Sequence, residues 1–99
     1  MKLTVGVFTF LLVGIFTTGS AIAQTQSVTF LGKVDQVWED GFQLDSESRS
    51  ITVDSYDLCG DSTARHIKVG EQVTVTGEFE GGEFDAFSIT RANGESVCS

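Results

Sequence analysis

From Ser27 onward the apolar residues recur at every second position, which is the period of a half-buried strand and not of a helix. The first predicted strand runs from about Val28 to Trp38, with Val28, Phe30 and Val34 on one face and Val37 of opposite parity. A long strand that changes parity between Gly32 and Gln36 must bend, through a bulge or a glycine kink. Glu39-Asp40-Gly41 reads as a tight turn. Phe42 and Leu44 then alternate with Gln43 and Asp45 in a second strand, and Ser46 to Ser48 form the next turn. Ile51 and Val53 alternate with Ser50, Thr52 and Asp54 in a third strand that extends toward Tyr56.

The segment from Tyr56 to Gly70 loses this alternation. Asp61 or Ser62 can cap a short helix through 62–66, and Gly70 releases the chain from it. Val73 and Val75 alternate with Thr74 and Thr76, Glu80-Gly81-Gly82-Glu83 is a turn, and Phe84 to Thr90 returns as a fifth strand. Phe84 and Phe87 differ in parity, so a second bulge is expected near Asp85-Ala86. Five short strands with one short helix predict an all-β chain. Closing a bent meander into a small barrel lets alternate side chains fill one interior and leaves few edges exposed. A two-layer sandwich of the same strands is the alternative.

The N-terminal stretch obeys a different rule. Leu3 to Phe16 is apolar apart from Thr4 and Thr9, follows Lys2, and gives way to the small residues Thr17, Thr18, Gly19 and Ser20. This is the composition of a secretory signal peptide, and Ala21-Ile22-Ala23 supplies small residues for cleavage after Ala23. The expected division is a signal peptide over 1–23 and one domain over 24–99, in the periplasm or secreted, with no stable membrane insertion after cleavage. A retained anchor is the alternative, since Leu3 to Ala23 carries no charge, but no positive residue flanks its far end.

Charge and cysteine content refine this picture. Of 99 residues, six are Lys or Arg and fourteen Asp or Glu, a formal net charge of -8. Loss of Lys2 with the leader makes it -9. Cys59 and Cys98 both follow the leader, so in an oxidising compartment one disulfide is the expected state. Redox use would call for Cys-x-x-Cys spacing, and zinc for more ligands than two cysteines and the single His66.

The runs Gly32-Lys33-Val34-Asp35-Gln36-Val37, Asp40-Gly41-Phe42-Gln43-Leu44, Ile51-Thr52-Val53-Asp54 and Val69-Gly70-Glu71-Gln72-Val73-Thr74-Val75-Thr76-Gly77-Glu78 together cover most of residues 28–91. In this order they resemble the bacterial OB-fold (BOF) family of small periplasmic stress-tolerance proteins, OB standing for oligonucleotide/oligosaccharide-binding. The resemblance implies a five-stranded Greek-key barrel, an extracytoplasmic location, involvement in envelope stress, and no catalytic residues. The chain departs from the family in its cysteine pair and in a longer excursion between Asp54 and Gly70.

Barrels of this type bind ligands across the second and third strands and their flanking loops. Parity places Gln43, Asp45, Thr52, Asp54 and Tyr56 outward there, with Trp38 at the first turn and Arg49 nearby. The candidate ligand-binding residues are thus Trp38, Gln43, Arg49, Thr52 and Tyr56. Single strands of nucleic acid need a basic groove with aromatic platforms, and counterion release by Lys and Arg, so a charge of -9 argues against nucleic acid. A glycan suits a Trp or Tyr ring with amide and carboxylate neighbours, and Trp38 is equally explicable as a lid on the barrel end. A basic protein or peptide partner, steered by the acidic surface, is the second option. Asp54, Asp57 and Asp61 lack the spacing and the closing Glu of a calcium loop, so no metal or other cofactor is expected. His66 has no nucleophile singled out beside it, so no enzyme is expected either.

Overall fold

The computed structural model describes residues 27–98, and the leader expected over 1–23 lies outside them. Five strands, β1 (Val28–Val37), β2 (Gly41–Ser46), β3 (Arg49–Asp54), β4 (Gln72–Glu80) and β5 (Glu83–Arg91), close into one barrel in the order β1-β2-β3-β5-β4. All neighbours are antiparallel except β3 and β5, which run parallel. That parallel pair needs a long crossover, and the chain makes it through α1 (Tyr56–Cys59), α2 (Thr63–His66) and β4. The architecture is the all-β, OB-fold-like barrel expected from the strand pattern, and not the sandwich.

Closure depends on β1 serving two neighbours. Val28 to Lys33 pair with β4, whereas β2 begins to pair at Lys33 and continues to Val37. The exchange happens at Lys33, next to Gly32, where any β-carbon would collide with the Asp45 carbonyl. Just beyond, the register jumps from Val34↔Leu44 to Gln36↔Gln43, so Asp35 is the extra residue of a bulge. The expected change of parity between Gly32 and Gln36 is this bulge. The second bulge sits one position later than expected, at Phe87, where Thr76↔Ser88 gives way to Gly77↔Ala86. Phe84 and Ala86 can then both point inward with Ile89.

Two features correct the expectation between Asp54 and Gly70. Two short helices form, not one, and Tyr56 begins the first of them instead of continuing β3. The Asp54 carboxylate accepts the Tyr56 amide at 2.9 Å, which turns the chain off the sheet. At α2 the capping residue is Ser62, but its side chain makes no capping bond. The crossover is held instead by backbone bonds from Ser55 to the Asp40 carbonyl and from Thr63 to the Glu39 carbonyl, both 3.0 Å.

The barrel interior holds Val34, Phe42, Leu44, Ile51, Val53, Val73, Val75, Phe84, Ala86 and Ile89, all buried, with Ile67 and Val97 closing it from the crossover and the C-terminal tail. Val97 donates its amide to the Ile89 carbonyl at 2.8 Å. Next to it, Cys98 is disulfide-bonded to Cys59 at the end of α1, with Cα atoms 5.1 Å apart and a sequence separation of 39. The expected pairing thus ties the tail to the crossover. Among the described residues, no helix is long and apolar enough to cross a membrane.

Candidate functional site

Each outward residue of β2 and β3 is set by the inward one beside it. Because Phe42 and Leu44 fill the core opposite Val53 and Ile51, Gln43 and Thr52 must face out across from each other. Gln43 uses both ends of its amide, donating to Ser50 at 2.6 Å and accepting from Thr52 at 3.1 Å. Ser50, which the sequence reading did not single out, is therefore part of this polar strip.

Trp38 lies at the turn that starts the strip. Its ring stacks beside Gly41, where a β-carbon would stand 2.9 Å from the indole nitrogen, and the residue keeps 37% of its surface exposed. It covers the end of β2 and also borders a shallow depression of about 60 Å³ with Thr52, Asp54 and Glu83.

The other two candidates lie elsewhere. Tyr56 is exposed on α1, outside the strand face. Arg49 has the inward parity of Ile51 and Val53 but starts β3 at the opposite end of the hairpin from Trp38. There its guanidinium lies 5.2 Å from the centre of the Phe30 ring and 5.5 Å from that of Phe79. Phe30, Phe79 and Phe84 meet edge to face, with centroids 5.1 to 5.9 Å apart. Gln43, Thr52 and Trp38 thus belong to one face, while Arg49 belongs to an aromatic cluster at one mouth of the barrel. Nothing in strand parity announces that cluster, because Phe30, Phe79 and Phe84 come from three strands.

Acidic groups gather beside the Trp38 face. Asp54 and Asp85 are register partners on the parallel strands. Partial burial holds the Asp85 carboxyl above its ordinary range, and the charges of Asp57, Asp54 and Glu80 push it further the same way. Asp85 carried no signal in the sequence, where it stands 31 positions from Asp54. Among the described residues no group of three or more His, Cys, Asp or Glu is arranged to hold a metal ion.

Basic groups collect at a third place. Arg65, His66, Lys68 and Arg91 line a depression of about 410 Å³ with Glu71. Arg91 is fully engaged there, pairing with Glu71 and with Glu95 at 3.3 Å and donating to the His66 carbonyl at 2.8 Å. It clamps the start of β4, the end of α2 and the tail onto β5, which is a structural task. His66 offers its carbonyl to this clamp, and its side chain is exposed.

The chain matches no family model, no curated protein and no solved structure.

Proposed function

We propose that the chain is an exported binding module of the cell envelope, in the periplasm or secreted, linked to stress tolerance as in the bacterial OB-fold proteins it resembles. It binds a glycan through the outer face of β2 and β3 and has no catalytic role. The observation that carries this reading is the half-open Trp38 ring beside Thr52 and Asp54, with Thr52 hydrogen-bonded in turn to Gln43. A flat apolar ring bordered by hydroxyl and carboxylate groups, with an amide one hydrogen bond further along the face, matches the apolar face and hydroxyl rim of a sugar. The disulfide supports an oxidising location.

A protein partner is the second reading, favoured by the carboxylates around Asp85, whose mutual repulsion a basic segment would relieve. Titration with a panel of neutral and acidic envelope oligosaccharides at low and high salt separates the two. Glycan binding at Trp38 should survive 0.5 M salt and be lost in Trp38→Ala. If no oligosaccharide binds, and a basic peptide binds at low salt but not at high salt, the glycan reading fails and the protein reading stands.

A further inference from the structure

We propose that the groove between the first half of β1 and the β2–β3 hairpin docks an extended polypeptide segment, which adds as a strand to the free edge of β1 and presents a carboxylate to Arg49. The groove has a volume of about 590 Å³ and is lined by Thr29, Phe30, Leu31, Ser46, Glu47 and Arg49. It lies apart from the Trp38 face, at the other end of the hairpin, and rests on different observations.

The backbone supplies the first of these. Among the described residues, β1 has no ladder partner on its β2 side before Lys33. The direction of its polar groups is fixed by the bonds around this point. Val34 turns toward β4, donating to the Glu71 carbonyl at 2.9 Å and accepting from Gly70 at 2.8 Å. Leu31 turns the other way, and its carbonyl accepts the Ser46 hydroxyl at 2.8 Å. Alternation along the strand then aims the Leu31 amide and both polar groups of Thr29 into the groove. These are the donors and acceptors, at strand spacing, that an added strand needs and that a sugar does not match.

Side chains supply the second. Exposed strand edges are ordinarily blocked by charge, proline or a bulge. Val28-Thr29-Phe30-Leu31-Gly32 carries no charge, the chain has no proline, and the β1 bulge falls later, at Asp35. Leu31 is 55% exposed on this strand, and Phe79 is 45% exposed on the aromatic cluster. An open, apolar edge of this kind invites pairing.

Charge supplies the third, and it selects the occupant. The ion pairs among the described residues both belong to Arg91, so no carboxylate of those residues lies within 4 Å of Arg49, although Glu47 lines the same groove. On a chain with fourteen acidic residues this is an uncommitted guanidinium, held in place by two phenylalanine rings. A carboxylate, terminal or from Asp or Glu, is the partner it fits.

The test screens the purified protein against randomised eight-residue peptides displayed with free carboxyl ends. Enriched peptides should alternate apolar residues with a carboxylate, and should shift the backbone amide resonances of Thr29, Leu31 and Arg49. Amidating a terminal carboxylate, or replacing an acidic side chain by its amide, should weaken binding to the unmodified protein about tenfold or more. Arg49→Gln should remove that difference while Arg49→Lys keeps part of it. Thr29→Pro, which deletes an amide that no ladder uses, should abolish binding with the fold intact. The amidated peptides keep the test decisive if Arg49→Gln fails to fold. The proposal is overturned if no peptide is enriched, if amidation changes nothing, or if the resonances that move lie on the Trp38 face.

Discussion

Single residues carry the clearest energetic consequences. Ser55 and Thr63 are both fully buried and share a hydroxyl–hydroxyl bond of 2.6 Å where the crossover meets the barrel. Thr63→Val keeps the shape and leaves the Ser55 hydroxyl buried without its partner, which should cost about 1–3 kcal/mol. Adding Ser55→Ala should cost less than the two single losses combined, and a double-mutant cycle by urea unfolding checks it. Asp85 works in the opposite direction. Its carboxyl holds a proton more tightly folded than unfolded, so the native state is penalised above its raised pKa and is relieved as pH falls through it. The penalty is gone below the ordinary carboxylate range. Asp85→Asn should therefore raise the melting temperature at pH 7 and have little effect near pH 3, which scanning calorimetry at the two pH values would show. None of these three residues was legible as important in the sequence. Ser55 read as the end of the third strand, Thr63 as part of a short helix, and Asp85 as a bulge position, with nothing to link any of them to a distant partner.

Among the elements, the crossover and the tail gain most from the tertiary structure. Each helix spans a single turn of four residues, too short to be stable alone. What holds them is the seating of Ile67 and Val97 over the barrel, the backbone bonds to Glu39 and Asp40, and the Cys59–Cys98 bridge. Closing a loop of about 40 residues stabilises a chain by up to about 4 kcal/mol through lost unfolded-state entropy. Replacing both cysteines by serine should lower stability by about 2–4 kcal/mol while the strand signal in circular dichroism persists, because the ladders of the barrel do not pass through the bridge. The strands themselves were largely legible, since alternation reports directly on which face is buried. Both bulges were legible as changes of parity, and the second was displaced by one residue because parity shows that a residue is extra without showing which one. The departure of Tyr56 from β3 was not legible, since an Asp side chain capturing an amide two positions later leaves the alternation before it unchanged.

For the whole molecule, charge and closure act together. Five basic residues stand among the described positions, and the barrel separates them: Arg49 at one mouth, Arg65, Lys68 and Arg91 around the crossover, and Lys33 on β1. No basic stripe runs along the outer face of β2 and β3, where a single strand of nucleic acid would lie. A single-stranded oligonucleotide should accordingly show no saturable binding at physiological salt by fluorescence anisotropy. The same separation divides the sequence-derived candidates. Gln43, Thr52 and Trp38 were brought to one face because parity and a turn decide where they point. Arg49 was carried away from them because it begins its strand on the inward parity, where its exposed guanidinium lies over aromatic rings at the barrel end.

What the sequence by itself determined is whatever depends on local order along the chain: the strand positions, the bends in β1 and β5, the acidity and the cysteine partners. Each of these follows from a period, a count or a small set of possible pairings. Only the tertiary structure decided which distant residues become neighbours. Pairing Asp54 with Asp85, gathering Phe30, Phe79 and Phe84 beneath Arg49, and leaving half of β1 without a partner among the described residues on one edge all follow from how five strands share one closed circumference. Closure is a property of the whole ladder, set by register and stagger between strands far apart in sequence, and no window along the chain contains it.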